Sequence, residues 1–419
     1  MTSETSFSPV AERPEHVPPS LVYDFDASFD EALLADPHKR VLDLVKNAPP
    51  IFWTPRHGGN WIFLSHAAIF NAARDYETFS SEFFPRELIA QFMQAQGPDA
   101  KHIPIAVPIN LDPPDHTKYR LPLQATFSPR TINSLKDGIR SLAAALIDDI
   151  AAQGRCEFMS AVAEQLPVKV FMNMLGLPLE RFASYRALVK EYLASIADPD
   201  YNRAIVMGQR VADSMRDVFI SRRDNPQHDI ISLLWKIEIG GKKTTMEDME
   251  NYGLLLFIAG LDTVMQGIGH GVRHLASDLA VQRQLREKPE LIPEAVEELL
   301  RRYTFTIPVR RVAKDTQFQG VTLMTNDRVM LYLPAADLDP KEFSEPERFN
   351  LARENKTHIA FNAGPHRCLG SHLARVELQI LFEEVLKRLP EFHLDPTRKI
   401  VFHAGNVIGI DSMHLVWNA

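Results

Sequence analysis

Cysteine is nearly missing from this 419-residue sequence, which has only Cys156 and Cys368. Two cysteines cannot form a disulfide framework or supply a four-cysteine zinc or iron–sulfur centre, and such scarcity suits a reducing compartment. Positive charge is not in surplus either. Lys and Arg number 46 against 54 Asp and Glu, for a formal net charge of −8. Nucleic-acid binding therefore draws no support from the global charge, although a local basic patch remains compatible with it. The most apolar run, 254–261, stops at Asp262 and is too short to span a bilayer. The first residues have neither a basic start nor an apolar stretch, so neither a secretory leader nor a membrane anchor is expected, and the location expected is cytoplasmic. Internal repeats and low-complexity linkers are also lacking.

What remains is an ordinary globular composition, 45% hydrophobic and 24% charged, in a chain long enough to enclose a large cofactor. Proline recurs through 1–22 without apolar periodicity, which predicts an extended arm. Residues 51–63 read as a hairpin turning at Gly58-Gly59-Asn60. Apolar residues then recur at helical spacing over 132–152 (Leu135, Ile139, Leu142, Leu146, Ile150), and similarly over 157–175, 180–196 and 202–222. Residues 247–277 predict a long apolar helix, buried on most sides and running through the centre. Within it Asn251, Asp262, Thr263 and Gln266 need partners or a task. A further helix is expected over 289–303 and short strands at 306–312, 320–323 and 329–333. A polar loop should follow over 337–367, a helix over 369–388, and a closing hairpin over 399–417. The expected fold is mainly α with minor β sheets, one large domain (23–419) around a long central helix.

The segment Phe361-Asn-Ala-Gly364-Pro-His366-Arg-Cys368-Leu-Gly370 carries the most chemistry. Glycines at both sides of the cysteine let the backbone approach a flat ligand. A helix starting directly afterwards favours negative charge on a thiolate. For an isolated cysteine, burial as a small apolar residue is the commoner role. Here the aromatic, the two glycines, the basic residue and the following helix occur together, and the segment resembles the cysteine-ligand loop of cytochromes P450. The resemblance implies that Cys368 is the proximal ligand of a haem b iron, in a haem-thiolate monooxygenase.

Other motifs follow in that family's order. Glu298 and Arg301 are one helical turn apart, an ordinary ion-pair spacing. The resemblance makes them, with Arg348 of Pro346-Glu-Arg-Phe349, a structural lock on the cysteine loop. Ala259-Gly260-Leu261-Asp262-Thr263 places an acid and an alcohol in an apolar helix, where a helix bend with local hydrogen bonds is the simplest explanation. In the family this is the oxygen-activation segment. Thr263 would then hold water, Asp262 would relay protons, and a small residue at 259 or 260 would leave room for dioxygen. His116 and Arg120 share a helix face. With Arg310 and His366 they match the cations expected on the haem propionates, since buried carboxylates need such partners.

The likeness covers the whole chain and is nearest to the camphor-hydroxylase branch, through Leu111-Asp-Pro-Pro114, Gly260-Leu-Asp-Thr263, Glu297-Glu-Leu-Leu-Arg-Arg302 and Leu415-Val-Trp417. It implies a substrate pocket lined by Phe83, Leu255, Ile258 and Ala259, together with Thr306, Ile307, Val309 and Val407. Plain core packing is an equal reading of each. The loop 88–110 has no tyrosine, so the hydroxyl that holds camphor's ketone in the camphor hydroxylase of that branch has no counterpart. The expectation is another small apolar monoterpenoid or norisoprenoid, with His102 or Asn406 as a polar contact. Electrons are expected from a [2Fe–2S] ferredoxin and an NADH-linked reductase, docking near Lys118, Arg120, Arg367 and Arg375. A peroxide-driven haem enzyme and a non-catalytic haem sensor are the alternatives.

Overall fold

The structure, a computed structural model, describes residues 10–82, 94, 97, 102–196 and 201–418. Phe83, most of the 88–110 loop and the first part of the 1–22 arm lie outside the described residues. The chain is mainly helical, with small sheets, and it forms two compact units. One comprises Met1–Ser80, Lys136–Ala163 and Met265–Ala419; the other comprises Ser81–Leu135 and Glu164–Val264.

The first unit contains a five-stranded sheet ordered Ile51–Thr54, Asn60–Phe63, Arg328–Leu331, Val309–Val312 and Phe79–Ser80. Its first two strands are the expected hairpin, with Trp53 opposite Trp61. The turn needs glycine: Gly59 has φ +89°, and a Cβ there would come within 2.7 Å of the Trp53 ring. Trp61, Phe63, Phe79, Val329 and Leu331 fill the core beneath the sheet. The described part of the arm is pinned along this sheet. Val10 bridges Arg56, Val22 bridges Trp53, and His16 lies 2.9 Å from Asp327, which also accepts from the Trp61 indole at 2.9 Å.

Two expected helices differ in detail. The one read over 132–152 is two, Pro129–Asn133 and Lys136–Ala151, separated where the Ser134 hydroxyl donates back to the Thr131 carbonyl at 2.6 Å. Residues 157–175 begin as a strand, Arg155–Glu157, followed by a π-helical turn, Met159–Ala163, before the helix Gln165–Leu175. The Glu157 carboxylate explains the change, because it accepts the backbone amides of Ser160 at 2.7 Å and Met413 at 2.8 Å. The closing hairpin forms from Val401–His403 and Gly409–Ser412, while His414–Trp417 inserts between Phe392–Leu394 and Arg155–Glu157.

His38 and His270 are each 1% exposed, and their rings meet edge to face at 4.9 Å. His274 bonds the Tyr303 hydroxyl at 2.9 Å. Burial pushes His270 down to about 3 and His274 to about 4, and holds His38 well below the ordinary 6.5. In the unfolded chain these groups take up protons near pH 6.5; in the folded chain they resist until well below. Their contribution therefore erodes stability as pH falls from about 6.5 towards 4. Buried Glu377, pushed up to about 8, acts in the opposite sense over much of this window. A variant comparison removes that background: His270→Gln should flatten the fall in urea stability between pH 7 and 5 by up to about 1.4 kcal/mol per pH unit. Parallel pH profiles would refute the assignment.

The second unit is helical. Tyr201–Asp224 packs on Phe182–Ile196 and on Met246–Leu261. The last of these starts with a capping box between Thr245 and Asp248, and Gly253 lets the Phe219 ring approach where a Cβ would stand only 2.6 Å away. After a break at Asp262 the chain continues as Thr263–Ser277. By length and composition Met246–Ser277 could cross a membrane, but 61% of its most apolar window is buried within the protein, as in a core helix.

Candidate active site

The cysteine loop is built by backbone constraint. Cys368 donates its amide to the Phe361 carbonyl at 2.8 Å, closing the loop just before the helix Ser371–Arg388. Gly364 has φ +68°, and a Cβ there would meet the Ala73 carbonyl at 2.5 Å. His366 ends the short 3-10 turn Gly364–His366 and is half-buried. The Cys368 thiol is exposed, whereas Cys156 is buried, and burial pushes the Cys156 thiol up to about 12. Only Cys368 combines access with a following helix N-terminus.

Behind the loop lies a buried ion triad. Arg301 donates to both oxygens of Glu298 at 2.9 Å, and each side chain is 1% exposed. Arg301 also donates to the carbonyls of Asp337 and Pro346, at 2.8 and 3.0 Å. The third member corrects the sequence reading: it is Arg353, at 3.1 Å from Glu298, and not Arg348. The Arg348 side chain is 69% exposed and pairs with Glu345, so Arg348 contributes only its carbonyl, to Arg301 and Arg353. The sequence motif singled out Arg348, and burial shows that Arg353, five residues on, is the arginine that pairs with Glu298.

In the second unit, Leu255 and Ile258 are only half-buried and Ala259 is exposed, although their helix is otherwise strongly apolar. Thr263 ends this stripe; its hydroxyl donates to the Ala259 carbonyl at 3.0 Å. Asp262 is 8% exposed and lies 3.8 Å from Arg186. Arg186 bonds Glu164 at 2.5 Å and also donates to the Leu261 carbonyl. Neither Arg186 nor Glu164 was foreseen; a buried arginine cannot be told from a surface one by sequence. Gly260 is filled from the other side by the Phe171 ring, which leaves Ala259 as the small residue on the exposed stripe.

His116 and Arg120 lie on the helix Asp115–Gln124, which Tyr119 fastens through Asp248 at 2.7 Å. Burial and the neighbouring Arg120 cation push His116 down to about 4. In the first unit, Arg310 is buried on the strand Val309–Val312 and donates to the Val309 carbonyl at 2.9 Å. Thr306 bridges Val407, and Ile307 donates its amide to the Asn406 carbonyl at 2.9 Å, so those expected pocket residues sit on paired segments. Ile307 is 1% exposed, a core residue more than a wall. The remaining polar helix residues have partners: Gln266 accepts from Ile410 at 2.7 Å, and Asn251 from Ile105 at 2.9 Å.

The family model for cytochrome P450 matches residues 187–405. The chain belongs to the cytochrome P450 family. It is 33% identical over 413 residues to the probable cytochrome P450 127A1 of Sinorhizobium fredii, covering 96% of each chain. It is 30% identical over 363 residues to a steroid C26-monooxygenase of Mycobacterium tuberculosis (84% of this chain, 93% of the relative). The crystal structure of CYP101J2 superimposes with a TM-score of 0.85 at 31% identity, covering 98% of this chain and 100% of that one. This P450 is thus an oxidoreductase whose solved relatives include the camphor-monooxygenase-like group.

A P450 implies a haem-thiolate cofactor, and the residues present fit one. The exposed Cys368 thiol offers the ligand, and a Cβ at Gly370 would stand 3.9 Å from its sulfur, so glycine keeps that side of the sulfur open. In the first unit, buried Arg310 provides a cation of the kind a carboxylate-bearing ligand needs. The basic docking face expected from sequence is partly neutralised. Arg375 is held by Glu297 at 2.6 and 2.8 Å, and Lys118 by Asp115 at 2.7 Å.

Proposed function

We propose that this P450 is a single cytoplasmic monooxygenase domain that hydroxylates a small apolar terpenoid-like substrate. Two electrons per turnover come one at a time from a [2Fe–2S] ferredoxin and its NADH-linked reductase. The observation that carries this reading is the partly exposed apolar stripe Leu255–Ile258–Ala259 ending at the Asp262–Thr263 pair. When bound, haem supplies dioxygen activation and oxidising power. Cys368 supplies the thiolate, and His116, Arg120, Arg310 and His366 hold the propionates. The stripe, with Thr306, Val309 and Val407, orients an apolar substrate and keeps water away from it. Thr263 releases its bond to the Ala259 carbonyl to hold a water. Asp262, tethered by Arg186, passes protons to that water from solvent. Family membership and the camphor-like structural relatives support the reading.

The test is a ligand screen on the haem-loaded protein, read as the spin-state shift of the Soret band. Monoterpenoids and norisoprenoids should shift it at micromolar concentration. A response to steroids alone, the class named for the mycobacterial relative, would overturn the terpenoid assignment. Thr263→Ala should lower the product formed per NADH several-fold while NADH use continues; unchanged coupling would remove the role given to that hydroxyl.

A further inference from the structure

His102 and Asn251 have no part in the reaction as described, yet they form a built contact. Asn251 is 7% exposed. Its side-chain carbonyl takes two hydrogen bonds, from the Ile105 amide at 2.9 Å and from the His102 ring at 2.9 Å. Both donors belong to one short segment, in which Ile103, Ala106 and Val107 are buried. That segment lies close to two helices: the Cβ position of Gly208 is 4.0 Å from the Pro104 carbonyl and 3.6 Å from Leu254. Asn251 precedes Leu255 by one helical turn, and Leu255, itself half-buried, opens the partly exposed apolar stripe. The two hydrogen bonds therefore fasten a chain segment at the end of that stripe.

We infer that Asn251 is a positioning residue for substrate size: by fixing 102–106 through Ile105 and His102 it sets how bulky a molecule can reach the stripe. The inference rests on the monooxygenase reading of that stripe. The Nε2 atom of His102, a residue expected to offer a polar contact, is engaged by Asn251. An amide oxygen accepting two donors in a buried site has no substitute when truncated, because the Ile105 amide is left without a partner.

The experiment uses haem-loaded protein and two iron-binding probes, imidazole and the bulkier 4-phenylimidazole, followed by stopped-flow Soret absorbance. Asn251→Ala should speed binding of 4-phenylimidazole on the order of tenfold, the effect of losing two net hydrogen bonds, with imidazole unchanged. Asn251→Asp retains the acceptor and should stay near the parent rate. Hydrogen exchange of the Ile105 amide should accelerate in Asn251→Ala and not in Asn251→Asp. If Asn251→Ala fails to hold haem, His102→Leu, which removes one bond, should show the same size dependence at smaller amplitude. Equal changes for both probes, or none, would overturn the inference. A reduced carbon monoxide spectrum without the long-wavelength thiolate band in the parent would instead overturn the haem-thiolate reading beneath it.

Discussion

Cys368→Ala should abolish the long-wavelength band of the reduced carbon monoxide complex and bring substrate oxidation to background, while Cys156→Ala changes neither. Both cysteines are thiols, and the structure separates them by environment. Cys156 is buried on a strand and its thiol is pushed up to about 12, chiefly by burial, so it stays protonated and apolar in character. Cys368 is exposed at the start of a helix, where a thiolate is favoured. Removing the Cys156 sulfur leaves a small cavity, worth about 1 kcal/mol. Removing the Cys368 sulfur deletes the only thiol in the loop. Bound haem should be counted alongside the spectrum, since a variant that keeps haem with an unaltered band would disprove the ligand assignment.

Arg353→Ala should destabilise the protein by about 3–5 kcal/mol, whereas Arg348→Ala should change stability by about 0.5 kcal/mol or less. The reason is burial. Arg353 has a side chain 5% exposed, against 69% for Arg348. Glu298 is 1% exposed, so losing Arg353 takes away one of its two cationic partners where water cannot replace it, and Arg301 alone remains. Arg353 also binds the carbonyls of Ser344, at 2.6 Å, and Glu345, at 3.2 Å, so the loop before the cysteine loosens with it. A loss of this size is a large share of the stability of a typical domain, about 5–15 kcal/mol, so Arg353→Ala should be recovered poorly and with little haem. Urea unfolding of both variants decides the matter; equal midpoints would restore Arg348 to the lock.

Much of this was legible in the sequence because it rests on local rules. The hairpin at Gly58–Gly59, the helices with regular apolar spacing and the cysteine loop each declare themselves within a few residues. What was not legible depends on residues distant in the chain. Glu157 breaks a predicted helix because Met413 brings its amide to it. Arg353 and Arg348 look alike until one is buried. Asp262 stood out as an acid in an apolar helix, but its partner Arg186 is 4% exposed in a helix whose sequence shows no sign of it. Asn251 was noticed for the same reason as Asp262, and only the fold shows that its partners are His102 and Ile105.

The parallel pairing of Asn60–Phe63 with Arg328–Leu331 bears on biosynthesis. The inner edge of the early hairpin, with Trp61 and Phe63, stays unpaired while the ribosome makes most of the remaining chain. An open edge of that kind is a template for aggregation. Slower translation lengthens that exposure, so yield should depend on temperature and chaperone supply more than on the final stability of the fold.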